Sequence, residues 1–393
     1  MSNTRLAAAA ALPLPTRVAR RPVVRFQTPE MPAMDAVMHY FKLAEDERFY
    51  SNGGPCWRLL SNRLRVRLDG NPTSIPVASA TAGLLVALRA VLGRPVGQRR
   101  YVITPSFTFT ATACAIEWAG FTPLFVDIEP DGWQMDPAAL ENELANRPGQ
   151  IAGVMACSTF GTVAEPELRA AWRASCAAHG VPMVVDSAAA FGARDSAGGH
   201  AGGLGDLEIF SFHATKPFAI GEGGLITIPD PDLAERAQRL TNFGLEDNVT
   251  LEIGLNAKLS ELHCAVALAV LDEYDDTLSR RRATAAALRE RLAKHPVAYQ
   301  RGSVDSTMQL FPILFGDTRS RDAAFDAAGP LGVQVRKTFD PSLHRHPAFA
   351  GALRGDLRVT ESISSRLLAL PCANSLDDWQ LERIVSILDL AAR

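Results

Sequence analysis

The sequence has no closely spaced pair of cysteines. Its six, Cys56, Cys114, Cys157, Cys176, Cys264 and Cys372, are scattered, with no C-x-x-C and no paired Cys/His spacing. That argues against a disulfide framework and against a zinc site or other metal centre, and fits reduced thiols in a cytoplasmic protein. Also lacking is any run near the ~18 apolar residues that a membrane helix needs, so no membrane partner is expected. Neither charge dominates: the net charge is −3 with both signs interspersed, which leaves no electrostatic footprint for nucleic acid. There is no internal repeat, and no low-complexity tract beyond an Ala-rich start. In that start the run from Leu6 to Leu12 is short and is interrupted by Pro13 and Pro15. A cleaved signal has a longer, more apolar core behind a basic residue, so residues 1–25 read as a flexible arm.

What is present is an ordinary soluble composition, 47% apolar and 21% charged over 393 residues. That length suggests two domains, or a large one with a smaller appendage. Short Val/Ile-rich runs at 75–79, 101–104, 123–128, 151–157, 182–186, 207–212 and 224–228 read as strands. Ala/Leu-rich stretches separate them, such as "TAGLLVALRAVLG", where Leu84, Leu88 and Val91 recur at helical spacing and Gly93 stands at the end. Such alternation predicts an α/β fold with a mainly parallel central sheet flanked by helices, over residues 26–275. In such sheets ligands sit outside the carboxyl ends of the strands. From about residue 280 the pattern changes. "SRRRATAAALRERLAKH" reads as a charged, exposed helix, "MQLFPILF" and "GVQVRK" as strands, and "SLDDWQLERIVSILDLAAR" as a closing helix capped by Ser375. Residues 276–393 are thus expected to form a small C-terminal α+β domain.

The residues that suggest chemistry all follow strand candidates. In "VASATAGLL" a strand ends at Ser79 and a helix begins near Thr81, a turn that suits a phosphate or is simply a capped helix start. Asp186 closes an apolar strand before small residues only. A carboxylate there needs a partner, whether a protonated ring nitrogen, an arginine or a helix end. Phe107 and Phe109 alternate with threonines; one is core by default, and an aromatic at a strand end can stack on a planar cofactor. Lys216, in "EIFSFHATKPFAIGEGG", has Ser211, His213 and Thr215 close by and Gly221, Gly223 and Gly224 downstream. It is either a solvated loop lysine or an amine kept neutral by burial. A phosphate turn, a stacking aromatic, a carboxylate and a lysine with a nearby hydroxyl are the four contacts that pyridoxal 5'-phosphate requires.

Several ordered motifs carry a resemblance. They are "SNGGP", "TPSFTFTATACAIEWAGFTPLFVDIEPDGWQMDP", "GLGDLEIFSFHATKPFAIGEGG", "NFGL", "GLNAKLSELHCAVAL", "LHRHPAF" and "VTESISSRLLALP". Together they resemble the DegT/DnrJ/EryC1/StrS family of sugar aminotransferases, fold-type I pyridoxal-phosphate enzymes, nearly end to end. The resemblance implies that Lys216 binds the cofactor covalently and shuttles protons, and that Asp186 holds the proton of the ring nitrogen. It implies stacking by Phe109 on one ring face and Ala188 on the other, with Ala80, Thr81 and Ser211 at the phosphate. Asn256 would reach the phosphate of a neighbouring subunit, giving a homodimer with shared active sites. His213 and Glu222 are candidates for the acceptor site, although His213 could equally be structural. Arg336 and His344 are sugar contacts by position only. Two residues depart from the family pattern: Ala80 where S-G-T is usual, and Ala189 where D-x-A-Q is usual, which leaves the cofactor's phenolic oxygen short of a partner.

The implied activity is transfer of an amino group from an amino acid, L-glutamate by family expectation, to a keto-sugar linked to a nucleotide. A keto-cyclitol or other non-nucleotide ketone is the alternative acceptor. A sugar dehydratase of the same family is a lesser option, because that branch has histidine where this chain has Lys216. A non-catalytic cofactor-binding regulator is the reading from another class, and no helix-turn-helix or basic stripe supports it.

Overall fold

The structure is a computed structural model and describes residues 23–391. Most of the arm expected over residues 1–25 therefore lies outside the described residues.

Two helices, α1 (Met34–Glu47) and α2 (Pro55–Arg67), lead into the alternating region. It runs β1 (Thr73–Val77), α3 (Ala80–Leu92), β2 (Tyr101–Pro105), α4 (Thr110–Trp118), β3 (Thr122–Val126) and α5 (Pro137–Asn146). It continues with β4 (Ile151–Cys157), α6 (Pro166–His179), β5 (Met183–Asp186), β6 (Leu207–Ser211) and β7 (Gly224–Ile228). After α7 (Pro231–Leu240) comes a small hairpin of β8 (Leu245–Glu246) and β9 (Val249–Thr250), then α8 (Glu261–Asp272) and α9 (Tyr274–Leu292). The C-terminal part holds β10 (Val297–Ala298), β11 (Phe311–Phe315), α10 (Thr318–Ala328), β12 (Leu353–Arg354), α11 (Arg358–Arg366), β13 (Leu367–Leu370) and α12 (Asp378–Ala391).

The large sheet has the order β1-β7-β6-β5-β4-β2-β3-β12. Only β7 runs against the rest, since it pairs antiparallel with both β1 and β6 while the remaining pairs are parallel. Helices on both faces explain why these strands read as unbroken apolar runs; all seven residues of β4 are buried. The second sheet, β10-β11-β13, is antiparallel and closes a separate apolar core around Phe311, Ile313, Ile384 and Leu388.

Three local expectations are corrected. Residues 332–337 form no strand; they make single bridges, Val333 to Val24 and Arg336 to Ala369. The chain then leaves the sheet edge, and Phe339 stacks on Phe160 at 5.3 Å between ring centroids. The helix expected over 279–295 begins earlier, at Tyr274, and one face of it is buried through Arg281, Thr284, Ala285, Leu288 and Leu292. The closing helix is capped by Asp377, not Ser375. Gln380 N donates to Asp377 Oδ1 at 2.8 Å, and Asp377 N donates to Gln380 Oε1 at 3.0 Å. This reciprocal capping box satisfies two backbone donors, which a serine two residues earlier cannot reach. Asp377→Ala is therefore expected to cost about 1 kcal/mol, read as a lower urea midpoint, while Ser375→Ala leaves the midpoint where it was. The opposite ranking would sink the assignment.

Candidate active site

The carboxyl end of β1 builds the first part of the site. Ser79 is extended (φ −163°) and its side chain accepts from Ala82 N at 3.2 Å, capping α3. The N–H groups of Ala80 and Thr81, in the first turn, have no acceptor within their own helix. Ser211, at the end of β6, pairs in register with Gly224 of β7. A Cβ on Gly224 would lie 2.7 Å from Ala80 N, so glycine lets β7 press against the helix start. Register and close approach together bring Ser211 beside the opening of α3. Backbone donors, a hydroxyl and the positive end of a helix dipole make an anion cradle.

The second part lies on β5, the strand next to β6. Asp186 ends β5, opposite Cys157 of β4, and is buried. Its Oδ2 accepts from Thr112 Oγ1 at 2.7 Å and its Oδ1 from Ala188 N at 3.1 Å. Burial pushes its pKa up, against the pull of these hydrogen bonds and of the Lys216 charge. The Cys157 thiol alongside is pushed far up by burial and by the Asp186 charge, and stays protonated.

Lys216 stands on the loop that joins β6 to β7. The loop folds back on itself: Ile220 N donates to Phe212 O at 2.9 Å and Ala214 N to Gly221 O at 2.7 Å. Gly221 takes φ +93°, open to glycine and costly for other residues. Lys216 N donates to His213 O at 2.8 Å, and Nζ donates to Gln309 Oε1 at 3.2 Å. Burial lowers the Lys216 pKa from 10.5 to about 8, with Asp186 acting in the opposite sense. A substantial minority of the amine is thus neutral near physiological pH, far more than of an ordinary lysine, and the neutral form is the one a nucleophile requires.

The remaining candidates separate into groups. Phe107 is fully buried, edge-on to Phe160 and Phe339, whereas Phe109 is 64% exposed at the start of α4 with a ring face free. Ala188 is half-buried beside Asp186. His213 Nδ1 is 2.8 Å from Thr215 Oγ1, and its Nε2 is 3.6 Å from Glu222, so both sit on the lysine loop. Asn256 is exposed, in a segment laid along β1 where Ala78 N donates to Ala257 O. Arg336 is exposed and packs its guanidinium over the Phe26 ring at 4.5 Å. His344 does not fit the expectation of a free sugar contact. It is buried, with Nδ1 2.7 Å from Ser106 Oγ and Nε2 3.2 Å from Glu361, and with both nitrogens engaged it ties its loop to the end of β2.

Comparison with known proteins places the whole chain in one family. The profile of the DegT/DnrJ/EryC1/StrS aminotransferase family matches residues 35–389. The chain belongs to that family. It is a pyridoxal-phosphate-dependent aminotransferase. Protein Rv3402c of Mycobacterium tuberculosis is 32% identical over 376 residues, covering 94% of this chain and 90% of its own length. The dTDP-4-amino-4,6-dideoxy-D-glucose transaminase of Escherichia coli is 29% identical, covering 92% and 96% respectively. The structure of DesI in the presence of its TDP-sugar product superposes with a TM-score of 0.85 at 30% identity, covering 95% of this chain and 94% of that one.

The residues present fit the cofactor of this family. A buried carboxylate that feels the Lys216 charge suits a protonated ring nitrogen, the cradle at Ala80 suits a phosphate, and the exposed ring of Phe109 suits a planar ring. Three contributors were not singled out in the sequence: Thr112, Gln309 and, behind Gln309, Arg281. Thr112 had a faint signal in the alternation "TFTATA"; Gln309 and Arg281 had none, being 93 and 65 residues from Lys216 in the chain.

A pH series of amine labelling tests the lysine. In protein freed of cofactor, reaction of Lys216 with an acylating reagent is expected to rise through a midpoint near 8, because deprotonation creates the nucleophile. Exposed lysines should follow a midpoint near 10.4, and a Lys216 midpoint that matches theirs would refute the assignment.

Proposed function

We propose that this aminotransferase moves an amino group from L-glutamate to a keto-sugar carried on a nucleotide, in amino-sugar biosynthesis. One observation supports the chemistry above others: a lysine with a pKa lowered to about 8 facing a buried carboxylate at strand ends. The names of the Escherichia coli transaminase and of the DesI complex support the acceptor class.

In this reading Ala80 N, Thr81 and Ser211 hold the phosphate, Phe109 and Ala188 enclose the ring, and Asp186 keeps the ring nitrogen protonated. Bound there, pyridoxal phosphate supplies the electron sink that lets an amino acid release its α-proton. Lys216 would carry the covalent attachment, and once displaced by the donor's amine its Nζ would be free to accept the α-proton and to give it back on the far side of the donor's nitrogen. Thr112 orients Asp186 for its part. His213 and Glu222, on the same loop, line the acceptor side.

We propose a homodimer with shared sites, which the surface near Asn256 supports. Phe243, Val249, Leu251 and Ile253 are each 47–63% exposed around the β8–β9 hairpin, next in the chain to Asn256. A second copy would cover them and bring its Asn256 to the phosphate. Among the described residues no helix is long and apolar enough to cross a membrane, and all six cysteines are free; we place the enzyme in the cytoplasm.

Turnover with L-glutamate should be fastest on a nucleotide-linked keto-sugar, measured as kcat/KM beside a keto-cyclitol and the free sugar. Preference for the cyclitol would move the acceptor to the alternative class, and no turnover with any ketone would favour a regulator. Asp186→Asn should lower kcat by about 100-fold or more with the melting temperature nearly unchanged. Near-normal turnover would remove Asp186 from its role.

A further inference from the structure

Among the described residues the amine of Lys216 has a single hydrogen-bond partner, and it comes from the segment that leads into the second sheet. Gln309 lies just before β11, is 8% exposed, and its Oε1 accepts from Nζ at 3.2 Å. With Oε1 committed, the amide nitrogen Nε2 is a donor with no acceptor among the described residues. It is not a sealed-off atom: it keeps contact with the open space of the site, where a bound group could accept from it.

The backbone around it is held with some force. Arg281 of α9 is 6% exposed and, among the described residues, pairs with no carboxylate. Its guanidinium donates instead to Met308 O at 2.7 Å, Gln309 O at 3.2 Å, Cys372 O at 3.0 Å and Asn374 Oδ1 at 2.9 Å. A buried charge satisfied by neutral acceptors is costly, so this clamp fixes the 308–309 backbone closely. Met308 takes φ +51°, a strained value for a non-glycine residue. Thr307 Oγ1 donates to Ala189 O at 2.6 Å and docks the segment onto the strand end that carries Asp186. Three alanines, 188 to 190, follow Ser187 there, so no side chain of that stretch can offer a hydrogen bond.

The cofactor's own connectivity sets what lies next to Nζ. The carbon that bonds the lysine is attached to the ring beside the carbon bearing the phenolic oxygen. We infer that Gln309 Nε2 donates a hydrogen bond to that oxygen, the contact that Ala189 cannot make. The inference rests on the pyridoxal-phosphate reading above and deepens it. Gln309 acts here as a tuning and positioning residue. A donor to the oxygen stabilises its negative charge and so favours the unprotonated form of the nitrogen conjugated with it. Groups facing the lysine from the packed elements are Asp186, which holds the opposite charge, and Gln309, which has none; Arg281 points its donors at carbonyls.

The test is a pH titration of the visible absorption band of the cofactor-loaded enzyme, parent against Gln309→Leu. Removing the donor should raise the midpoint of the band by about one pH unit, with the circular dichroism spectrum retained. A role in packing alone would change cofactor affinity and leave the midpoint in place. Should Gln309→Leu fail to fold, Gln309→Glu has the same shape and cannot donate once ionised, and it should raise the midpoint at least as far. An unchanged midpoint in a folded, loaded variant overturns the inference and leaves the aminotransferase reading standing. No visible band in the parent protein with added cofactor overturns both.

Discussion

Desolvation of two ionisable groups against each other is the constraint on which the site depends. Asp186 and Lys216 each lose water on folding, which pushes the carboxyl pKa up and the amine pKa down. Lowering the amine from 10.5 to about 8 corresponds to roughly 3 kcal/mol of disfavour for the charged form. The sign matters for folding as well as for chemistry. Between those two values the unfolded chain binds the lysine proton and the folded chain does not, so this group's contribution to stability improves as pH rises through that window. Below it the site is held against its own preference, which places it among the strained arrangements that functional sites carry.

The topology explains how such a pair can be held. Parallel strands put the ends of β2, β4, β5 and β6 on one edge of the sheet, and loops there are free to carry polar groups while the strands bury apolar ones. The reversed β7 matters most, because it lets the lysine loop turn back between adjacent strands and returns Gly224 to the start of α3. Phosphate cradle, carboxylate and amine thus come from three different strand ends, each fixed by sheet register. The second sheet adds the last contact: through Arg281 and Thr307 it delivers Gln309 to the amine. Amine chemistry in one sheet is thereby coupled to the packing of the other.

Much of this was legible in the amino-acid order, for physical reasons. β4 and β7 were read to the residue, because strands buried on both faces are bare apolar runs between polar turns. Ser79, the opening of α3 and the Lys216 loop were found because caps and glycines leave local signals. Where local pattern and long-range packing competed, reading failed. Residues 332–337 look like a strand, yet the chain is drawn away to stack Phe339 on Phe160. Ser375 looks like a cap, but Asp377 with Gln380 satisfies two donors. His344 looked like a ligand contact and is instead fastened at both nitrogens. Gln309 left no trace in the sequence, since its role exists only through a contact spanning 93 residues.

The central claim is that one amine, Lys216, carries the covalent chemistry. Reduction of the cofactor-loaded protein with borohydride, followed by peptide mapping, tests it most directly. The account predicts a single stable adduct, on the peptide that contains Lys216. An adduct on any other lysine, or none in protein that binds the cofactor, would contradict it.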